Sequence, residues 1–279
     1  MICDRSRTRT PSRGRGKDIV PTIGLRWASR RSTSRIAHID PLVLTDLADE
    51  QASLDRLLAP LPAVDWVRST PAPGWSIADQ VWHLAVSERA AALAVAGRSN
   101  EVFGGPAPRL TMPDTEPAAL LDAWRTARAA TLAALTPLGD RDRVIWGAGP
   151  MSARSFAEAR LMETWAHGLD CYAAVDVEPV DTHRLRRIAG LGRRALPYAF
   201  SLTGEDPPGD VRNIALDLRA PDGTQWREGP PTSVDVISGR AGEWCRVVTK
   251  RCRPEDTALR ASTPLGVLAL KVARAYLAD

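Results

Sequence analysis

The chain has 279 residues, 44% apolar and 25% charged, enough for one large domain or two ordinary ones with buried cores. Its formal net charge of +4 suggests a basic protein, but residues 1–39 hold ten Lys and Arg against two acids, while residues 40–279 hold 27 against 31. The body is slightly acidic and carries no basic run of the kind a nucleic-acid surface needs, which excludes a general nucleic-acid binder. Four scattered cysteines (Cys3, Cys171, Cys245, Cys252) make neither a disulfide scaffold nor a common zinc spacing. With no secretory apolar segment and no run long enough to span a bilayer, the expectation is a cytoplasmic protein without a membrane partner.

Residues 1–41 read as a disordered basic leader; their Arg, Ser and Thr content also resembles a transit peptide. Leucines at 44, 47, 54, 57, 58 and 61 predict a first amphipathic helix over Leu44–Leu61, stopped near Pro62. A loop follows from Asp65 to Trp75. Ser76, with Asp79 three residues on, caps a second helix running to about Ala96. Residues 98–114 read as loop, Thr115 to about Leu135 as a third helix, Trp146 and Gly147–Pro150 as linker, and Ser152 to about Val175 as a fourth helix. A fifth helix, about Thr182–Phe200, is rich in arginine (Arg184, Arg186, Arg187, Arg193, Arg194), read as a solvated face or as a face toward an anionic ligand. Beyond residue 205 the pattern changes: Val211–Ala220 is strand-like, Pro221–Gly223 a turn, and Thr224–Trp226 the start of a returning strand. Asp235–Ser238 and Cys245–Thr249 are short apolar runs, the latter compatible with a helix, and Pro264–Leu277 closes the chain as a helix. The predicted organisation is a mainly α protein: a helical domain over 42–176, a connecting helix within 177–206 and a small α+β domain over 207–279.

Two of the four histidines occupy informative places. Glu163 and His167 stand four residues apart, one turn along a single helix face. His83 lies mid-helix in an apolar setting, and antiparallel packing would bring it opposite that pair. Two imidazoles and one carboxylate would leave a divalent ion an open position; the local alternative is a hydrogen-bonded His83–Asp79 and a simple Glu163–His167 pair. Asp170, three residues after His167, could orient a ligand histidine or lie on the helix surface. Cys171 reads as buried, with pocket lining as its functional alternative. The nine tryptophans are scattered as core and seam residues are. P-loop, Rossmann, nucleophile-elbow and Cys/His-finger patterns are absent from the sequence.

The run from Thr70 to Leu84, TPAPGWSIADQVWHL, resembles the opening signature of the mycothiol-dependent maleylpyruvate isomerase and DinB-like superfamily, and Ala159–Asp170, ARLMETWAHGLD, is similar to its second signature. Trp226–Pro230 and Val247–Arg251 look like the subgroup described as actinobacterial metal-binding proteins. The resemblance implies a DinB-like four-helix bundle followed by a small α+β domain, with a divalent metal, most commonly Zn2+, on His83, Glu163 and His167. It also implies mycothiol as a thiol cofactor. The chain departs from the subgroup in its Arg-rich leader and in ending at Leu277-Ala278-Asp279 without an extended tail.

Three functional classes follow. In the leading one, a metal-activated thiolate attacks an electrophilic small molecule or adds reversibly to a conjugated acid, giving a transferase or isomerase. Arg251, with Asp170, would serve the chemistry, and Arg251 or Arg246 would anchor acidic groups of the cofactor or substrate; a solvated face is the plain alternative for both arginines. In the second, the metal activates water for hydrolysis and needs Asp79 or Asp170 as a base. In the third, the protein is a non-catalytic metal- or ligand-binding module. The partners expected are a small-molecule thiol and an electrophile, and a homodimer is compatible with all three.

Overall fold

The structure, a computed structural model, describes residues 38–103, 116–147, 149–204 and 206–275. Residues 1–37 of the leader predicted over 1–41, the beginning of the predicted third helix at Thr115, and the last residues of the predicted closing helix lie outside them; residues 39–41 belong to the fold, because Ile39 is buried, Asp40 caps α1 and Pro41 begins it. Helix α1 (Pro41–Leu58) starts where Asp40 accepts the Leu42 N–H at 3.0 Å, with proline in its first turn. One turn, α2 (Ala63–Trp66), leads into the loop before α3 (Ile77–Val95), which opens with the Ser76/Asp79 capping box expected from the sequence. A further turn, α4 (Asn100–Phe103), falls inside the stretch read as loop. Helix α5 (Pro117–Leu135) follows, then a hairpin, β1 (Arg143–Trp146) with β2 (Gly149–Ser152), where the sequence suggested a linker. Four-residue strands are too short to show a two-residue period. Ser152 then caps α6 (Ala153–Ala174), the longest helix among the described residues, and α7 (Leu185–Ser201) crosses to the C-terminal part.

That part is a four-stranded mixed sheet, ordered β4-β3-β5-β6, from β3 (Ala215–Arg219), β4 (Gln225–Glu228), β5 (Val236–Arg240) and β6 (Arg260–Ala261). The protein is thus a mainly helical N-terminal region followed by a mixed α/β region. β3 and β4 form the antiparallel hairpin about Pro221–Gly223, and β3 and β5 are parallel. The predicted strand over 211–220 begins instead with a 3-10 turn, Val211–Asn213, capped by Asp210. The run 245–249 belongs to α8 (Ala241–Val248) and its end. The closing helix α9 (Pro264–Val272) stops before Leu277, because Ala273 turns extended and Ala275 donates its N–H to the Val248 carbonyl at 2.9 Å.

Helix directions follow from side-chain pairs. α3 runs antiparallel to α6, since Gln80 meets His167, His83 meets Glu163 and Glu88 meets Arg160. α5 runs antiparallel to α1, with Arg125 on Asp55 and Arg128 on the Gln51 carbonyl. One buried cluster joins Ile77, Val81 and Leu84 of α3 to Trp124 of α5 and Leu54 of α1; another runs from Val43 and Phe156 through α7 to the sheet, α8 and α9.

The α7 arginines are neither simply solvated nor turned to an anion. Arg184 binds Glu50 at 2.6 Å, Arg187 binds Asp46 at 2.8 Å, Arg194 binds Glu158, and Arg186 binds Glu228 at 3.2 Å. Arg193 donates to the Arg212 and Ile214 carbonyls. Four carboxylates of α1, α6 and β4, dispersed in the sequence, are gathered by packing onto one helix. Of these pairs Glu50–Arg184 is well buried, 12% exposed on each side, so Glu50→Ala strands a guanidinium in the interior. We expect it to cost about 3 kcal/mol in chemical denaturation, with a Glu50→Leu, Arg184→Leu double variant regaining most of that loss.

Candidate metal centre and the cavity beside it

His83 Nε2 and His167 Nε2 each lie 3.5 Å from the same oxygen, Glu163 Oε2. One ligand atom from each residue falls within 4.8 Å of the others, and among the described residues no fourth His, Cys, Asp or Glu joins the group. Two helices suffice to build it: α6 places Glu163 and His167 one turn apart, and the antiparallel α3 lays His83 across them. The rings of His83 and His167 are 4.5 Å apart, and Trp75 stacks on His167 at 5.9 Å and tilts against His83 at 5.4 Å.

Directional hydrogen bonds orient His167. The Thr70 hydroxyl donates to the Trp75 carbonyl at 2.9 Å, so its oxygen is free to accept from the Gln80 amide nitrogen at 3.0 Å. This turns Gln80 Oε1 toward His167, whose Nδ1–H donates to it. The proton is thereby held on Nδ1 and the Nε2 lone pair faces Glu163, the arrangement that a ligand histidine needs. Thr70 itself is held because its N–H also donates to the Trp75 carbonyl, closing the loop between α2 and α3 on itself. Sequence reasoning missed Gln80, Thr70 and Trp75 as site residues. The signal available was a polar residue one turn before His83 on an otherwise apolar helix face; Thr70 had none.

Charge states fit a divalent ion as well. Burial pushes the Glu163 carboxyl up, but the neighbouring His167 and His83 and the charge of Arg160 outweigh it, holding it well below the usual carboxylate range. Burial pushes His167 below the ordinary imidazole value, opposed by Glu163 and assisted by His83 and Arg251. An ionised carboxylate and a neutral imidazole are the forms that bind a cation.

The other candidates fall around this centre. Asp79 is engaged at the helix start, accepting from the Ser76 N–H at 2.8 Å and from its hydroxyl. Asp170 is buried, with both oxygens on Arg251 at 2.6 and 3.3 Å, so the hydrogen bond that orients His167 comes from Gln80. Arg246 lies over the Trp165 ring and pairs with Asp181 at 2.9 Å; any side chain at Gly242 would collide with that pair. Cys171 is fully buried among Leu54, Trp66 and Trp124, and burial pushes its thiol up, which leaves it an inert core residue. A cavity of about 870 Å3 opens along the C-terminal end of α6, lined by Asp170, Arg246 and Arg251 and by Pro71–Pro73 of the Trp75 loop. His83, Glu163 and His167 are not among its lining residues; on α6 the lining begins at Leu169, two residues beyond His167.

Fold and candidate ligands define a class, a cluster of two histidines and one carboxylate between antiparallel helices. Residues 47–172 match the mycothiol maleylpyruvate isomerase N-terminal domain family. Two uncharacterised proteins of Mycobacterium tuberculosis, from strains CDC 1551 / Oshkosh and H37Rv, are each 40% identical over 219 residues, covering 75% of this chain and 84% of theirs. The chain belongs to this family. Crystal structures of the mycothiol-dependent maleylpyruvate isomerase and of a histidine-to-alanine mutant of it share the fold, with TM-scores of 0.51 and 0.50 at 18% and 17% identity. They cover 80% of this chain and 92% of theirs.

Two predictions follow from this geometry. Gln80→Leu frees the His167 tautomer and should weaken metal affinity roughly 10–100-fold in a chelator competition, while Gln80→Glu, which keeps an acceptor, loses less. Because Glu163 stays ionised and His167 stays neutral into acid, a divalent ion loaded at this cluster should be retained as pH falls through 6.5, the ordinary imidazole value, and be released below it as His167 gains a proton. A release midpoint above that pH in a dye assay would contradict the assignment.

Proposed function

We propose that the protein is a divalent-metal-dependent, thiol-using transferase or isomerase, with Zn2+ on His83, Glu163 and His167 in a DinB-like four-helix bundle formed by α1, α3, α5 and α6. The observation that carries this reading is a ligand set of three protein donors, one imidazole of which is locked in its binding tautomer. Such an ion supplies Lewis acidity that lowers the pKa of a thiol near it. Family membership makes mycothiol the thiol of choice, and an electrophilic small molecule the second partner.

The chain's own residues supply the remainder. Trp75 shields one side of the histidine pair with an apolar ring. Arg251, held in the cavity wall by Asp170 and by its own bond to the Thr249 carbonyl at 2.8 Å, presents guanidinium charge for an acidic group of thiol or substrate, and Arg246 stands beside it. Hydrolysis is less well served, because it needs a free carboxylate base: Asp79 is occupied in the helix cap and Asp170 by Arg251. The open cavity also has room for a sizeable small molecule, which favours an enzyme over a closed metal-sensing module.

Purified protein should carry close to one divalent ion per chain, and His167→Ala should lose it. Calorimetric titration of the metal-loaded protein with mycothiol should give saturable heat, and bound thiol should resist alkylation. Metal content with neither heat nor protection would leave hydrolysis or non-catalytic binding in its place.

A further inference from the structure

Two helices end at the cavity, and both stop in a left-handed residue that is not glycine. At the end of α6, Asp176 has φ 58°, its N–H donates to the Ala173 carbonyl at 3.3 Å, and the Val177 N–H donates to the Tyr172 carbonyl at 3.0 Å. At the end of α8, Lys250 has φ 58°, its N–H donates to the Val247 carbonyl at 3.1 Å, and the Arg251 N–H donates to the Arg246 carbonyl at 2.8 Å. This doubly bonded helix end is where glycine usually sits, because a Cβ is penalised in the left-handed region. Asp176 and Lys250 are the two non-glycine residues of positive φ among the described residues, and both line the same cavity. Aspartate enters that region with modest cost, helped by its short polar side chain; lysine has no such compensation. Retained backbone strain at both edges of one cavity points to side chains that are needed there.

The charges along the cavity separate these side chains by role. Asp170 is bound by Arg251, Arg246 by Asp181, and Asp176 by Arg68 at 3.1 Å. Arg68 precedes the Thr70–Trp75 loop, so the Asp176 contact fastens that loop to the end of α6. Two lining charges, Lys250 and Glu178, have no ion pair among the described residues. Glu178, which also lines the cavity, disfavours a dianion such as phosphate more than a singly charged group.

We infer that Lys250 is the specificity-determining residue of this cavity, its ammonium binding a carboxylate group of the small molecule that occupies it. Arg246 and Arg251 share their charge with Asp181 and Asp170, whereas Lys250 has no carboxylate partner among the described residues and so adds an uncompensated positive charge to the same lining. The inference rests on reading the cavity as the small-molecule site of the proposed function.

An NMR titration of the full chain at low salt tests it, with butyrate as probe, butyramide as the neutral counterpart and inorganic phosphate as the competing anion. Butyrate should shift the backbone amides of Lys250 and Arg251 saturably, and butyramide should not. Lys250→Met, which keeps the strain and loses the charge, should raise the dissociation constant roughly tenfold, about the loss of one charge-assisted hydrogen bond, and Lys250→Arg should restore it. Lys250→Gly should lose the same affinity yet melt at or above the wild-type temperature, since glycine relieves the strain. Wild-type affinity in Lys250→Met, tighter binding of phosphate than of butyrate, or a lowered melting temperature in Lys250→Gly would each overturn the assignment. If butyrate shifts no cavity amide in the wild type, the cavity reading falls with it; zinc content, measured on the same sample, reports separately on the metal centre.

Discussion

The candidate site depends on one relation, the antiparallel register of α3 against α6. Gln80 meets His167, His83 meets Glu163, and Glu88 meets Arg160 in successive layers, so a shift of one residue along either helix would dismantle all three. The lowest layer holds the others in place. Glu88 and Arg160 are almost wholly buried and bind each other at 3.1 Å, with Ser87 accepting from the same guanidinium at 2.8 Å. A buried pair of this kind adds little net stability, but any other register would leave two charges unpaired in the interior. The ion pair therefore specifies register more than it stabilises the fold. Its charge also reaches the site, where Arg160 helps keep Glu163 ionised.

From that register the orientation of the candidate ligands follows. Glu163 and His167 are positioned by helix geometry, while the ring orientation of His167 is set from outside the helix through Gln80 and Thr70 to a backbone carbonyl of the Trp75 loop. That loop is a shared part: its backbone holds the tautomer, its tryptophan covers the histidines, its prolines form one wall of the cavity, and Arg68 at its start is bound to the end of α6. The candidate metal centre and the cavity thus share this loop although their lining residues differ.

The C-terminal region reaches the same place by another route. Arginines of α7 grip carboxylates of α1 and α6, the sheet and α8 pack on α7, and the end of α8 brings Lys250 and Arg251 into the lining of the cavity. The Arg251–Asp170 bond closes the circuit, since Asp170 lies one turn beyond His167 on α6. A basic side chain of the C-terminal region is thereby held against α6 three residues beyond His167.

Much of this was legible locally. The five long helices show their apolar periodicity, and Ser76 with Asp79 marks the start of α3 by a rule confined to four residues. Glu163 and His167 are adjacent by helix spacing alone, and His83 could be nominated because histidines are rare in this chain. The β1–β2 hairpin was not legible, because strands of four residues carry no period, and the end of α9 was not, because its last turn is surrendered to a bond with α8. By itself the sequence determined the elements whose causes lie within a few residues: helix periods, caps, turns and the spacing of two ligands. The tertiary structure decided what depends on residues 36 to 141 positions apart, namely that Gln80 orients His167, that the α7 arginines meet carboxylates, and that Asp170 binds Arg251. Side-chain hydrogen bonds and ion pairs have a reach of a few ångströms, and only folding places such distant residues within it.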